Sequence, residues 1–124
     1  MAVAILREGD YLVAAILSDL TDKEVVKLRG DLIDLVGRYR SRGLVIDVSA
    51  LDVIDSYVAR ALRSIVLAVR LRGAPTVIAG IQPDVAIALV QFRVDLGPLQ
   101  VALDLDAARM VLDELTRGEA EDGG

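Results

Sequence analysis

One stretch of the sequence, residues 44–62 (LVIDVSALDVIDSYVARAL), constrains the fold more than any other. It opens with an apolar run at Leu44 that ends in Asp47, and a helical pattern begins near Ser56. A short run that is apolar on both faces is typical of a buried central strand in a parallel sheet. Such sheets place their working residues where a strand ends and the next helix begins. The stretch therefore predicts an α/β fold with a candidate site at this junction.

The remainder of the chain supplies strands and helices in a regular order. Apolar runs at residues 2–6 and 11–17 flank a Gly-Asp turn, which predicts an N-terminal antiparallel hairpin. Helical patterns then alternate with strand patterns at residues 44–47, 76–79 and 99–103. The order β-β-α-β-α-β-α-β-α predicts one α/β domain over residues 1–117 with a mostly parallel central sheet. The acidic segment 118–124 has nothing to bury and is predicted to be a disordered tail.

Capping residues predict where the first helix begins and ends. Asp19 or Thr21 opens it, Glu24 completes a capping box with Thr21, and Gly43 ends it. Spacings of three and four residues predict that its buried face carries Val25, Leu28, Leu32, Leu35 and Tyr39.

The later helices are predicted in the same way. The second helix begins near Ser56 and ends at Gly73, and its buried face carries Val58, Leu62, Ile65 and Val69. Pro83 is the first residue of the third helix, whose core residues are Val85, Leu89 and Phe92. Asp104 or Asp106 caps the fourth helix, which is predicted to extend through Leu115.

Composition removes several classes of function. The chain has no cysteine and no histidine, which excludes disulfides, Cys-type metal sites and histidine-based catalysis. Its net charge is −5 and its arginines are scattered, so no basic stripe for nucleic acid is expected.

Membrane insertion and secretion are not expected either. The longest charge-free stretch, residues 73–83, is shorter than the ~20 apolar residues that a spanning helix needs. The N-terminus lacks the basic region and cleavage site of a signal peptide, which predicts a cytoplasmic domain. Hydrophobic residues make up 54% of the sequence. Because a short chain has an unfavourable surface-to-volume ratio, self-association is expected.

The junction carries three carboxylates that have two interpretations. Asp47, Asp52 and Asp55 supply the oxygen ligands that Mg²⁺ prefers, as in a phospho-receiver domain. Such a domain also needs a lysine near its last strand, whereas the only lysines here are Lys23 and Lys27. The alternative is that the carboxylates accept hydrogen bonds from turn and helix-start amides. Capping preference favours this alternative, and no metal is predicted.

Ser56 also has two interpretations. A serine near a helix start is commonly a cap. Alternatively, its hydroxyl is presented to another enzyme, since a phosphate there would meet free helix amides, with Arg60 one turn further on. Asp55 opposes phosphorylation, because a phosphate adds about −1.5 to −2 charges beside its carboxylate. The residues alone leave both interpretations open.

A second segment of interest is the turn before the third helix, formed by Gly80, Ile81, Gln82 and Pro83. Gly80 is either a simple turn residue or the point where another backbone or a phosphate approaches closely. The turn is expected to lie next to Ser56 at the same sheet edge. Neither GxGxxG nor GxxxxGK occurs, so nucleotide binding is not predicted.

These segments carry a resemblance to a known family. The order of elements and the segments VIDVSALDVIDSYVARAL, GAPTVIAGIQPDVAIAL and ALDLDAA resemble a STAS domain, the fold of anti-sigma factor antagonists. The match runs from Ala2 to about Arg117. Within the family, the Asp-Ser-aromatic segment at Asp55 and the turn at Gly80 look most like the RsbS-type scaffold subunits of the bacterial stressosome.

The resemblance implies a signalling scaffold rather than an enzyme, and no cofactor. Proteins of the RsbS type co-assemble with RsbR-type subunits into a large shell and hold an RsbT-type serine kinase. The kinase phosphorylates the serine at the start of the second helix, here Ser56. It is then released to a downstream partner in stress and sigma-factor signalling, and a PP2C-type phosphatase resets the scaffold. Because residues 84–92 contain no hydroxyl side chain, one phosphosite is expected rather than two.

The expected kinase-docking surface surrounds Ser56 and comprises Asp55, Tyr57, Arg60, Gly80, Ile81, Gln82 and Pro83. Tyr57 is either an aromatic anchor of that interface or packs onto the sheet edge.

Three other functions stay open. One is a SpoIIAA-type antagonist that binds an anti-sigma kinase directly. Another is a small-ligand module, as suggested for transporter STAS domains, with Asp47, Ser56 and Gly80 around an anion or nucleotide. The last is a purely structural scaffold in which Ser56 is only a cap.

Overall fold

The computed structural model describes residues 2–94 and 100–123, with the side chains of the last helix as far as Arg117. Strands and helices follow one another in the predicted order. The strands are β1 (Val3–Glu8), β2 (Tyr11–Ile16), β3 (Gly43–Asp47), β4 (Thr76–Ala79) and β5 (Gln100–Ala102). The helices are α1 (Asp22–Tyr39), α2 (Ser56–Leu71), α3 (Pro83–Gln91) and α4 (Leu105–Gly123).

The strands form one sheet in the order β1-β2-β3-β4-β5. β1 pairs with β2 in antiparallel register, and the hairpin turns at Gly9, whose φ of 58° suits glycine. From β2 to β5 each strand runs parallel to its neighbour. The predicted mixed sheet is therefore confirmed.

Alternate residues along the strands face two separate helical layers. Residues of one parity pack with α1, α2 and α3: Leu12, Ala14, Leu44, Ile46 and Ile78. Residues of the other parity pack with α4: Val13, Val45, Val77 and Ala79. The apolar run at the centre of the sequence is thus covered on both faces, as its composition predicts.

α1 begins as predicted and ends differently. The Thr21 hydroxyl accepts a hydrogen bond from the Glu24 amide (3.2 Å), and the Glu24 carboxylate accepts one from the Thr21 amide (3.0 Å). The prediction that Gly43 ends the helix is wrong, because Arg40 takes the left-handed cap conformation with φ 50°. Gly43 instead begins β3, where a Cβ would lie 2.8 Å from Leu112 Cδ2. Glycine at this position makes room for α4.

The buried face of α1 differs in part from the prediction. Its buried residues are Val25, Leu28, Leu32 and Val36. Leu35 is only half-buried, and Tyr39 is 41% exposed. The Arg7 guanidinium lies 4.7 Å from the centre of the Tyr39 ring, so this ring stacks with a cation at the surface. Leu35 and Val36 are consecutive, so spacing alone allows either one to lie on the buried face of the helix. In the structure Val36 is the residue that lies in the core.

The other helices follow the predictions more closely. The predicted buried residues of α2 are buried, and Pro83 is the first residue of α3. Phe92 follows α3 and is half-buried. Asp104, not Asp106, caps α4 by accepting a hydrogen bond from the Ala107 amide at 2.9 Å. Within the described residues, no helix is both long and apolar enough to cross a membrane.

Two predicted boundaries are corrected. α4 continues to Gly123, past the predicted end at Leu115, because glutamate and alanine in that segment favour a helix. Disorder of residues 118–124 stays a prediction. β5 is shorter than predicted, since Leu103 lies outside it and residue 99 lies outside the described residues.

Candidate functional site

The loop after β3 is held in place at the carboxyl edge of the sheet. The Asp47 carboxylate accepts a hydrogen bond from the Ser49 amide at 2.9 Å. The Val48 amide donates to the Ala79 carbonyl at 3.0 Å, so pairing with β4 continues one residue past β3. Leu51 is 4% exposed and anchors the segment that leads to α2. The junction is therefore ordered by backbone and apolar contacts before the helix begins.

The turn before α3 locks against this loop. Gly80 has φ 76°, and a Cβ there would lie 2.7 Å from the Ser49 Cβ and 3.1 Å from its Cα. The Gln82 side-chain amide donates to the Ser49 carbonyl at 3.0 Å, and the Gly80 amide donates to the Ala102 carbonyl at 3.1 Å. The glycine thus admits another backbone, that of Ser49. Within the described residues no hydrogen bond joins this turn to Ser56, although both follow neighbouring strands.

The start of α2 separates the roles of Asp55 and Ser56. Asp55 is the N-cap, and its carboxylate accepts a hydrogen bond from the Val58 amide at 2.8 Å. The interpretation of Ser56 as the cap is therefore wrong. Ser56 is half-buried as the first residue of the helix, and its hydroxyl has no hydrogen bond within the described residues. The amides of Ser56 and Tyr57 also lack backbone acceptors in that part of the chain, at the positive end of the helix dipole.

The three carboxylates of the junction do not converge. Asp47 and Asp55 each bind a backbone amide, as the capping interpretation predicts. Asp52 is exposed and accepts no hydrogen bond among the residues described, so a capping role for it is not shown. Over the same residues, no group of three acidic side chains lies close enough to hold a metal ion.

Half-buried Ser56 and the exposed side chains around it define a surface that we call the junction surface: Val53, Asp55, Ser56, Tyr57 and Arg60. Tyr57 is 44% exposed and Val53 is 63% exposed. Val53 was not among the predicted site residues, because the sequence does not distinguish this exposed valine from its buried apolar neighbours Leu51 and Ile54. A cavity of about 170 Å³ lies beside it, lined by Ile16, Asp19, Leu20, Leu51, Val53, Ile54, Asp55 and Val58. The surface thus extends toward the start of α1.

Removal of the Asp55 cap has a predictable cost. We expect Asp55→Ala to lower the free energy of unfolding by about 1 kcal/mol, because the Val58 amide loses its acceptor. Urea denaturation measures the change. Asp52→Ala is the matched control, since that exposed carboxylate has no described partner, and it should change stability by less than about 0.5 kcal/mol. Equal losses in the two variants would contradict the assignment of the cap.

Comparison with known families and structures gives consistent matches. The family model described as STAS domain matches residues 4–108. A solved structure of RsbS from Moorella thermoacetica, in a serine-to-glutamate variant, is 38% identical with a TM-score of 0.83, covering 94% of this chain and 99% of that one. A chain from a structure of the molecular architecture of the stressosome is 39% identical with a TM-score of 0.82, covering 92% and 99%.

A curated relative matches over a shorter length. RsbRA of Bacillus subtilis (strain 168), an RsbT co-antagonist protein, is 30% identical over 85 residues. Those residues are 68% of this chain and 31% of RsbRA, so the chain spans about a third of that relative.

Proposed function

The chain belongs to the STAS domain family, and from this premise we propose that it is a stressosome scaffold and antagonist of a serine/threonine switch kinase. Unphosphorylated, it sequesters an RsbT-like kinase, and phosphorylation of Ser56 releases that kinase. Its likeness to RsbS over nearly the whole chain supports the scaffold role. RsbR-like subunits are the proposed co-assembly partners, and a PP2C-type phosphatase resets the scaffold. The chain itself acts without enzymatic activity.

The main support for the proposal is that the Ser56 hydroxyl is left without a hydrogen-bond partner among the described residues. Because Asp55 supplies the cap, this hydroxyl makes no hydrogen bond within the described residues. Its modification therefore removes no contact that holds the fold together. A phosphate attached there would lie near the unpaired amides of the first turn, which favour an anion. The residue is thus chemically available in the folded protein.

The proposed release of the kinase is electrostatic. Tyr57 and Val53 are exposed apolar side chains beside Ser56 and serve as anchors for a partner. Phosphate would add about −1.5 to −2 charges next to Asp55 in that interface. Covering this added charge with the surface of a partner costs free energy even though helix amides lie near it, and each 1.4 kcal/mol weakens binding about tenfold. Phosphorylation can therefore eject the partner without any movement of the core.

Exposed apolar side chains elsewhere support the proposed assembly. Leu71 is 90% exposed, Leu103 is 86% exposed and Val90 is 78% exposed. An assembly would cover such side chains where they fall within a contact between subunits. They are consistent with dimers and a larger shell built with RsbR-like partners.

The alternatives differ in how much support they have. A SpoIIAA-type antagonist would use the same serine and differ in its partner, an anti-sigma kinase. A ligand site between Asp47, Ser56 and Gly80 has less support, because Ser49 fills the space above Gly80. In an amide NMR titration with nucleotides, the signals of Asp47, Ser56 and Gly80 should not shift.

The kinase-release step can be tested by calorimetric titration of the RsbT-like kinase into variants of the chain. We expect Ser56→Ala to bind the kinase like the wild type. Ser56→Asp should weaken binding about tenfold or more, since it places a second charge in the interface. Ser64→Asp is the matched control on the same helix and should leave affinity unchanged. Wild-type affinity of Ser56→Asp would contradict the electrostatic mechanism.

A further inference from the structure

The opposite edge of the sheet gathers arginine side chains around one cavity. This basic cavity, of about 450 Å³, lies where α1 and α2 end and is lined by Val36, Gly37, Arg40, Ser41, Arg42, Arg72 and Gly73. The chain as a whole carries a net charge of −5. No acidic side chain is among the described residues that line the cavity. Positive charge is therefore concentrated at this cavity, although the net charge of the protein is negative.

Helix capping does not account for these arginine side chains. The carbonyls at the ends of α1 and α2 are satisfied by backbone amides, such as Ser41 to Val36 at 3.1 Å and Arg72 to Val69 at 3.0 Å. Within the described residues, the guanidinium groups of Arg40 and Arg72 have no ion pair and no hydrogen bond. These two cations lie at the C-terminal ends of α1 and α2, where positive charge offsets the helix dipoles, but neither guanidinium is neutralised by a partner among the described residues.

The third arginine is held in position by the fold. The Arg42 guanidinium donates a hydrogen bond to the Thr116 carbonyl at 3.3 Å and lies 4.0 Å from the Asp10 carboxylate. Because this contact with Asp10 is long and exposed, it neutralises little of the charge. Arg42 therefore still contributes a positive field to the cavity.

A serine hydroxyl and a bare backbone complete the site. Ser41 lines the cavity, and its hydroxyl has no hydrogen bond among the residues described. Because its oxygen is not buried, the hydroxyl is open to a ligand oxygen. At Gly37 a Cβ would lie 3.2 Å from the Arg72 guanidinium, so the glycine leaves room for this group to lie over the helix backbone.

We propose that the basic cavity binds a small anion that carries phosphate groups. Planar guanidinium groups match phosphate oxygens in paired hydrogen bonds. Three of them around one cavity favour a multiply charged ligand, and the volume is in the range of small-molecule sites. The site lies at the C-terminal end of α2, whereas Ser56 is its first residue. The inference is thus independent of the proposed kinase switch.

Calorimetry with sodium pyrophosphate and with ATP, each at low ionic strength, tests this site. Saturable binding at one ligand per chain is expected. Arg72→Gln and Arg40→Gln should each weaken binding about tenfold or more, because each removes charge-assisted hydrogen bonds. Arg38→Gln is the matched control, since Arg38 belongs to the same edge but pairs with Asp34 at 3.2 Å outside the cavity. Its effect should stay within about twofold.

Amide NMR on the wild type gives a second readout that needs no variant. Signals of Gly37 and Ser41 should shift on titration, while those of Ser56 and Tyr57 should not. Similar binding of both probes would show that the phosphates are recognised, and binding of ATP alone would add a contribution from the nucleoside. Absence of saturable binding to either probe, or equal weakening by Arg38→Gln, would overturn the proposal.

Discussion

Gly80→Ala is expected to lower the free energy of unfolding by about 2–5 kcal/mol, a large share of the stability of a domain of this size. A side chain at φ 76° costs about 1–2 kcal/mol, because Cβ approaches the following carbonyl. The new methyl would also lie 3.1 Å from the Ser49 Cα, and overpacking against backbone adds about 1–3 kcal/mol. Urea denaturation monitored by circular dichroism measures the loss.

Variants at two other glycines separate the conformational cost of Gly80→Ala from its steric cost. Gly73 has φ 92° but nothing within 4 Å of its Cβ position, so Gly73→Ala should show only the conformational cost. Gly30 lies inside α1 with open space around it, and Gly30→Ala should stabilise the helix by about 0.5–1 kcal/mol. If Gly80→Ala cost no more than Gly73→Ala, the close approach of Ser49 would be incorrect.

Leu112→Ala is expected to lower the free energy of unfolding by a similar amount, about 2–5 kcal/mol. Leu112 is 0% exposed and is a central residue of the cluster that joins α4 to the sheet. Truncation of its side chain leaves a cavity next to Gly43. This cavity closes only if the backbone of the strands moves. The midpoint of urea denaturation should fall accordingly.

Met110→Ala is the matched control for the Leu112 variant. Met110 is on the same helix and is 69% exposed, so its truncation should change stability by less than about 0.5 kcal/mol. An equally small effect of Leu112→Ala would mean that α4 does not pack on this face of the sheet.

Much of the fold was predictable because hydrophobic periodicity reflects burial directly. The run at Leu44 is apolar at every position, and its residues contact helices on both faces of the sheet. Helix ends were harder to predict, since several residue types can terminate a helix. Arg40 adopts a conformation that glycine usually takes, while Gly43 is required by the approach of Leu112 from α4, a contact distant in sequence.

The candidate site was predictable in part for the same reason. Its location at the end of β3 followed from the strand-to-helix pattern. Which of Asp55 and Ser56 caps α2 depends on the exact first residue of that helix, and the sequence does not fix this residue to within one position. The sequence predicted that another part of the backbone could approach Gly80 closely, but it did not identify that part as Ser49. The basic cavity was missed because Arg72 is far in sequence from Arg40 and Arg42, and these residues meet only when α1 and α2 end side by side.

Intact-protein mass spectrometry after incubation with ATP and the RsbT-like kinase tests most directly whether Ser56 is the switch. The wild type should gain one phosphate, and Ser56→Ala should gain none. A phosphate that persists in Ser56→Ala, or no phosphate on either protein, would contradict the assignment of Ser56 as the residue that releases the kinase.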